Sequence, residues 1–330
     1  METLPEFLRL RAEETPHQWA YSFLLEGERE QARLTYAELD LRARAIAARI
    51  QEISRPGDRV LLLLPSGMDF VAAFLGCLYA GAVAVPAYPP HSHRSLGRLA
   101  TMAADSAPGL ALTSSALHTR CRSWIAAEDR LGSLQWLVVE SPDAAQPGEL
   151  AALWRDPLVG PESLALLQYT SGSTGTPRGV MVSHRSLLHN QEAIRRAFGQ
   201  SEASVIVGWL PLFHDMGLIG TLLQPLYVGA PCVLMSPSAF LQKPLRWLQA
   251  IDRYRGTTSG GPNFAYDLCV AKTSPEARAA LDLSSWTLAF NGAEPIRAAT
   301  LERFAEAFAP AGFRREAFYP CYGLAEATLF

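Results

Sequence analysis

Leu166-Leu-Gln-Tyr-Thr-Ser-Gly-Ser-Thr-Gly-Thr-Pro-Arg-Gly-Val-Met-Val182 is the stretch on which the reading of this 330-residue chain turns. An apolar strand runs into Thr170 to Gly179, ten residues holding three glycines and five hydroxyls, and a second apolar run leaves it. Glycines let successive backbone N–H groups turn inward as an anion-binding nest, and Ser and Thr hydroxyls donate to phosphate oxygens or ligate Mg2+. Arg178 adds a fixed positive charge with a forked set of donors. A polar hairpin turn is the plain competing reading. The Walker frame is excluded, because no G-x-x-x-x-G spacing here is followed by Lys and then Ser or Thr.

Outward from this loop, short apolar runs alternate with helical patterns, the habit of a parallel sheet covered on both faces. Strands are predicted at Arg59–Leu64, Leu110–Thr113, Trp136–Val139, Leu164–Tyr169, Val205–Trp209, Cys232–Met235 and Thr287–Phe290. Thr35 followed by Glu38 predicts a capped helix start, with an apolar-periodic stretch to about Ile50. Phe70 to Tyr88 carries no charge over nineteen residues, but Gly76, Gly81 and Pro86 interrupt it. It reads as a buried helix over Met68–Tyr79, a turn at Ala80-Gly81 and a buried strand ending at Pro86, and not as a membrane span. The turn formers of Ser141-Pro-Asp-Ala-Ala-Gln-Pro-Gly148 suggest a boundary between a first lobe, 1–150, and a second, 151–330. The sequence ends at Leu329-Phe330 just after a motif-like segment, and this reads as a break inside a domain.

With 49% hydrophobic and 18% charged residues the chain can bury a large core, and a net charge of -3 gives no field to draw in nucleic acid. Cys77, Cys121, Cys232, Cys269 and Cys321 stand far apart, without metal-ligand spacing, and read as thiols in a reducing cytoplasm. The N-terminus lacks the basic and apolar regions of a secretory signal. His91 and His93, with no third ligand nearby, read as a solvated loop. Only Lys243 and Lys272 of the 29 basic residues are lysines, so a cation on a phosphate is expected to be an arginine.

Three further segments carry polar residues in apolar surroundings. In Trp209-Leu-Pro-Leu-Phe-His-Asp-Met-Gly-Leu-Ile-Gly220 the pair His214-Asp215 interrupts an apolar run; taken alone, such a His is as readily a capping or core residue. Asn291-Gly-Ala-Glu-Pro295 follows a predicted strand, where a tight turn can present backbone to a flat base, and Glu294 is either part of that site or a plain turn carboxylate. Tyr319-Pro-Cys-Tyr-Gly-Leu-Ala-Glu-Ala-Thr-Leu329 places a hard carboxylate, Glu326, suited to Mg2+.

Taken in order, these four segments resemble the adenylate-forming superfamily of acyl-CoA synthetases, peptide-synthetase adenylation domains and luciferases. The wording Tyr322-Gly-Leu-Ala-Glu-Ala-Thr-Leu329, with Ala325 before the glutamate, resembles fatty-acyl-AMP ligases. So do Val85-Pro-Ala-Tyr-Pro-Pro90, Phe240-Leu-Gln-Lys-Pro-Leu-Arg-Trp247 and Pro262-Asn-Phe-Ala-Tyr-Asp-Leu268, and the likeness runs from about Thr35 to the last residue. Most members carry Lys where this chain has Arg178.

The resemblance implies an α/β fold, the N-terminal domain of an adenylate-forming enzyme, with two stacked βαβ-type layered sheets and helices on their faces. It implies ATP-dependent activation of a long-chain fatty acid to acyl-adenylate and pyrophosphate, with ATP and Mg2+ as cofactors and an acyl carrier protein or polyketide synthase thiol as acceptor. Thr170, Ser171, Gly172, Ser173, Thr174, Gly175, Thr176, Arg178 and Gly179 would hold phosphates, with Thr174 and Glu326 on the metal. Gly292, Ala293, Glu294, Tyr322, Gly323, Leu324 and Ala325 would hold adenosine. His214 would lie beside the reacting carboxylate, and Trp209, Asp215, Met216, Gly217, Gly260, Gly261, Pro262 and Asn263 would line the acyl path. The family's ribose Asp and C-terminal Lys have no counterpart here, so a fragment of this kind is expected to adenylate poorly. An acyl-CoA synthetase, a peptide-synthetase adenylation domain and a non-catalytic interaction lobe are the competing readings.

Overall fold

The computed structural model describes residues 1–90, 96–140, 147–170 and 177–330. Among them run β1 (Trp19–Leu25), β2 (Arg29–Thr35), β3 (Arg59–Leu63), β4 (Val83–Pro86), β5 (Leu110–Thr113), β6 (Gln135–Val138), β7 (Leu164–Thr170), β8 (Arg178–Ser183), β9 (Ile206–Gly208), β10 (Cys232–Met235), β11 (Thr258–Gly261), β12 (Leu288–Asn291) and β13 (Phe318–Pro320). They form two sheets, of order β6-β5-β3-β4-β7-β8 and β13-β12-β11-β9-β10-β1-β2. The chain makes two compact units, Met1–Gln18 with Thr35–His189, and Trp19–Leu34 with Asn190–Phe330. Helices between successive strands carry the chain back to the same sheet end, and this makes neighbouring strands parallel. The α/β class is therefore the one the sequence pattern predicts.

In the first unit β3 lies between β4 and β5, with Val60 opposite both Ala84 and Leu110, and all three strands are parallel. Leu61 and Leu62 are fully buried, as a strand covered on both faces requires. The helix Met68–Tyr79 has its predicted bounds, with every residue buried except Asp69 in its first turn. The turn at Gly81, φ +74°, then delivers the chain to β4. The uncharged stretch is thus core, and no helix among the described residues is long and apolar enough to cross a membrane. The capping box also forms: Thr35 N donates to Glu38 Oε2 at 2.8 Å and Glu38 N to Thr35 Oγ1 at 3.3 Å, opening the helix Tyr36–Gln51.

His184 opens the helix His184–Phe198 with 2% of its surface exposed, and its Nδ1 accepts from Leu4 N at 3.4 Å. Burial holds its pKa down at about 4, against an ordinary 6.5, so the folded protein keeps it neutral. The unfolded chain takes up the proton first as pH falls. Stability contributed by neutral His184 is therefore full above the ordinary value and is lost between about 6.5 and about 4, a loss bounded by about 3 kcal/mol. Chemical denaturation across this range is expected to show a shallower slope for His184→Gln.

The second unit takes its outer strands from the N-terminal hairpin: β1 pairs parallel with β10, Tyr21 opposite Cys232. Its core is aromatic. Trp247 is fully buried, with ring centroids of Phe240, Tyr266 and Trp286 at 5.6, 5.7 and 5.2 Å. These contacts are tilted or edge-to-face, the arrangement that ring quadrupoles favour.

This division differs from a boundary near residue 150. Of the turn formers 141–148 that suggest that boundary, residues 141–146 lie outside the described residues, and Pro147–Ala152 is helical. The strands β7 and β8 belong to the first sheet, because β7 pairs with β4 (Leu166 opposite Ala84), so the break falls between His189 and Asn190. A hairpin inserted early in the sequence, Trp19–Leu34, completes the second unit. Long-range strand pairing of this kind leaves no trace in local composition.

Candidate active site

In the second unit β9, β11, β12 and β13 are consecutive neighbours and all parallel. Gly261 lies opposite Asn291, and Asn291 opposite Pro320, so the strand ends are level. Every second-unit residue expected from sequence to line the site sits on, or just beyond, these four carboxyl ends: Trp209 to Gly217 after β9, Gly260 to Asn263 around the end of β11, Gly292 to Glu294 after β12, and Tyr322 to Glu326 after β13. Open α/β sheets bind ligands at this edge, since the strand ends and the loops that follow them project backbone groups there.

Beyond β9, Trp209 is 3% exposed and stacks on Phe240 at 4.0 Å, with its Nε1 lacking a partner. Its ring lies over Gly261: a Cβ there would stand 2.7 Å from Cζ2 of the indole. His214 and Asp215 follow, with His214 Nδ1 at 2.6 Å from Asp215 Oδ1. That carboxylate also accepts from Met216 N at 2.6 Å, so Asp215 orients His214 and caps the next element. The hydrogen bond to Asp215 raises the His214 pKa above 6.5, against the opposing effect of desolvation.

The capped element is a π-helix, Met216–Leu223, which the sequence did not announce. Such helices are rare and concentrate at functional sites. Outside donors hold its carbonyls: Tyr21 OH on Leu222 O at 2.6 Å, Gln191 Nε2 on Ile219 O at 3.2 Å and Cys232 Sγ on Thr221 O at 3.4 Å.

After β12, Ala293 takes φ +68° and Glu294 Oε1 accepts from Phe264 N at 3.3 Å, in the first turn of the helix Asn263–Lys272. The carboxylate is thus placed where that helix start favours negative charge. Asn263, expected on the acyl path, is 1% exposed, and its amide is committed elsewhere: Nδ2 donates to Pro295 O at 2.8 Å and Oδ1 accepts from Arg297 N at 3.1 Å. After β13, Tyr322 is 83% exposed, Ala325 is buried, and Glu326 stands exposed in the short 3-10 turn Ala325–Ala327. Cys321 donates its N–H to Asn291 O at 2.8 Å, and burial pushes its thiol up to about 11.

The segment expected to bind phosphate is flanked by two strands of the first unit. Ser171, Gly172, Ser173, Thr174, Gly175 and Thr176 lie outside the described residues, as do His91 and His93. Its flanks are described: β7 and β8 pair antiparallel with Thr170 opposite Arg178 and Tyr169 opposite Gly179. The flanking elements are thus two paired strands, whereas a Walker loop stands between a strand and a helix. Gly179 admits the Tyr169 ring, whose hydroxyl donates to Asp105 Oδ2 at 2.5 Å. No group of three or more His, Cys, Asp or Glu among the described residues is arranged to hold a metal. An Mg2+ carried in on phosphates needs only one or two carboxylates, and Glu326 suits that role.

Comparison with known proteins places these features in a family. The AMP-binding enzyme family matches residues 8–330. The medium-chain-fatty-acid–[acyl-carrier-protein] ligase JamA of Moorena producens is 47% identical over 331 residues, 99% of this chain and 55% of that protein. The long-chain-fatty-acid–AMP ligase FadD32 of Mycolicibacterium smegmatis is 41% identical over 303 residues, 90% of this chain and 47% of its own. The fatty acyl-adenylate ligase of Legionella pneumophila, solved in complex with acyl adenylate and pyrophosphate, superposes with a TM-score of 0.92 at 45% identity, over 100% of this chain and 56% of that one. The chain thus spans about half the length of the curated relatives it matches.

Proposed function

Because this chain belongs to the AMP-binding enzyme family, we propose that it carries the nucleotide- and acyl-binding half of a fatty-acyl-AMP ligase. In that reaction a fatty-acid carboxylate oxygen attacks the α-phosphorus of ATP and pyrophosphate leaves. The acyl group then passes to the phosphopantetheine thiol of an acyl carrier protein or polyketide synthase, releasing AMP. The level carboxyl ends of β9, β11, β12 and β13, each followed by one of the segments singled out from sequence, carry this reading. The names of the similar ligases and the acyl adenylate of the Legionella relative support the same chemistry.

One anion must attack another here, so the work is positioning and charge stabilisation. In this reading Thr170, Arg178 and Gly179, with residues 171–176 between them, cradle the β- and γ-phosphates. Glu326 anchors Mg2+, with Thr174 contributing a hydroxyl. Tyr322, with Gly292-Ala293 and Gly323 to Ala325, receives adenosine. Trp209, Met216, Gly217 and Gly260 to Pro262 border the acyl path, and the reacting head group lies by His214. A cytoplasmic location goes with the ATP and carrier-protein chemistry. Fatty-acid-dependent exchange of labelled pyrophosphate into ATP tests the reaction. Transfer to CoA in place of a phosphopantetheinylated carrier would make the protein an acyl-CoA synthetase, and absence of saturable MgATP binding would make it an interaction lobe.

His214 gives this site a pH dependence. Its pKa is raised by Asp215, so the imidazolium persists above the ordinary 6.5 and attracts a carboxylate. Fatty-acid affinity is expected to hold below that raised value and to weaken as pH rises through it. His214→Asn is expected to bind the acid about fivefold more weakly at pH 6 and to flatten the profile. A wild-type profile flat from pH 6 to 9 would count against a charged His214 at the head group.

A further inference from the structure

The loops after β11 and β12 are cross-tied by one buried amide. Asn263 begins the helix after β11, and through its Nδ2 and Oδ1 it grips Pro295 O and Arg297 N on the segment that follows Gly292-Ala293-Glu294. A second link runs the other way, from Phe264 N to Glu294 Oε1 at 3.3 Å. Beneath them, Asn291 Nδ2 donates to Gly261 O at 3.0 Å, so the two strand ends are joined as well. Ala293 needs this support: at φ +68° it occupies a backbone region that an alanine adopts only when its surroundings hold it there. Both of Asn263's functional atoms are engaged on backbone, and the side chain is 1% exposed, so it is packed inside the protein rather than presented to a ligand.

We infer that Asn263 is a positioning residue for the nucleotide, fixing the Gly292-Ala293-Glu294 turn in a ligand-ready conformation, and that it makes no contact with the acyl chain. The inference rests on the adenosine-binding role proposed above for that turn. A buried amide bridging two backbone groups selects one loop conformation in advance, and a loop ordered beforehand does not have to be ordered by the ligand.

Two variants separate this role from simple packing. Asn263→Ala removes both links, whereas Asn263→Asp keeps an acceptor for Arg297 N and sets a carboxylate oxygen against Pro295 O. MgATP affinity and dodecanoate affinity are measured by calorimetry, and backbone exchange over residues 292–297 by mass spectrometry. The expected result is about a tenfold loss of MgATP affinity for Asn263→Ala, a loss of that size or smaller for Asn263→Asp, and acid affinity within twofold of wild type. Exchange at Arg297 N should accelerate in the alanine variant and stay slow in the aspartate variant. Equal losses of acid and nucleotide affinity, or unchanged exchange over 292–297 in Asn263→Ala, would overturn the inference. A wild-type protein that binds no MgATP overturns the functional reading instead, and the exchange result then still decides whether Asn263 fixes the turn.

Discussion

Glu326→Ala is expected to weaken MgATP binding by about a hundredfold while leaving binding of metal-free ATP nearly unchanged. The carboxylate stands exposed in the turn after β13, and only Ala325 beside it is buried. Truncation therefore removes a charge without opening a cavity. Mg2+ takes few protein ligands and keeps its remaining positions for phosphate oxygens and water, so one lost carboxylate is a large share of what the protein offers it. Titrations with and without Mg2+ separate this from a general loss of the site. If Glu326→Ala lowers both affinities alike, the residue supports the turn and does not serve the metal; if it lowers neither, the metal lies elsewhere.

Gly260→Ala should cost the second unit about 4 kcal/mol, near the top of what single substitutions do. A Cβ at residue 260 would stand 2.1 Å from the carbonyl oxygen of Phe290 and 2.6 Å from its ring. The first of these is backbone in the neighbouring strand, which cannot swing aside as a side chain can, so β11 and β12 must separate. Thermal unfolding followed by tryptophan fluorescence reads this unit through Trp209, Trp247 and Trp286 in its core, beside a signal from Trp124, Trp136 and Trp154 of the first unit that the substitution should leave in place. Gly109→Ala is the matched comparison: nothing lies within 4 Å of a Cβ there, and the transition should stay where it is. Equal behaviour of the two variants would mean that β11 tolerates a side chain and that its glycines have another purpose.

Those glycines also mark the limit of what local sequence reveals. Thr258-Ser-Gly-Gly261 has little of the β-branched and aromatic character of a strand, and it is one only because its neighbours approach too closely for side chains. By contrast, β5 and β10 have their predicted bounds, and the helix Met68–Tyr79 does as well, because each is a local apolar pattern bounded by turn formers. Asn263 shows a different limit. Its place in Pro262-Asn-Phe-Ala-Tyr-Asp-Leu268 identified the segment, yet nothing in the segment tells which way the amide turns. That is settled by Pro295 and Arg297, some thirty residues later.

From sequence alone come the α/β class, the family, and the four segments proposed for the site, since each depends on residue types within a few positions of one another. The tertiary structure alone decided the strand order that makes β9, β11, β12 and β13 neighbours, the early hairpin that completes the second sheet, and the antiparallel return of β8 that places both flanks of residues 171–176 in the first unit. The physical reason is that pairing between strands far apart in sequence is chosen by burial and register over the whole sheet, a choice that no single stretch of chain contains.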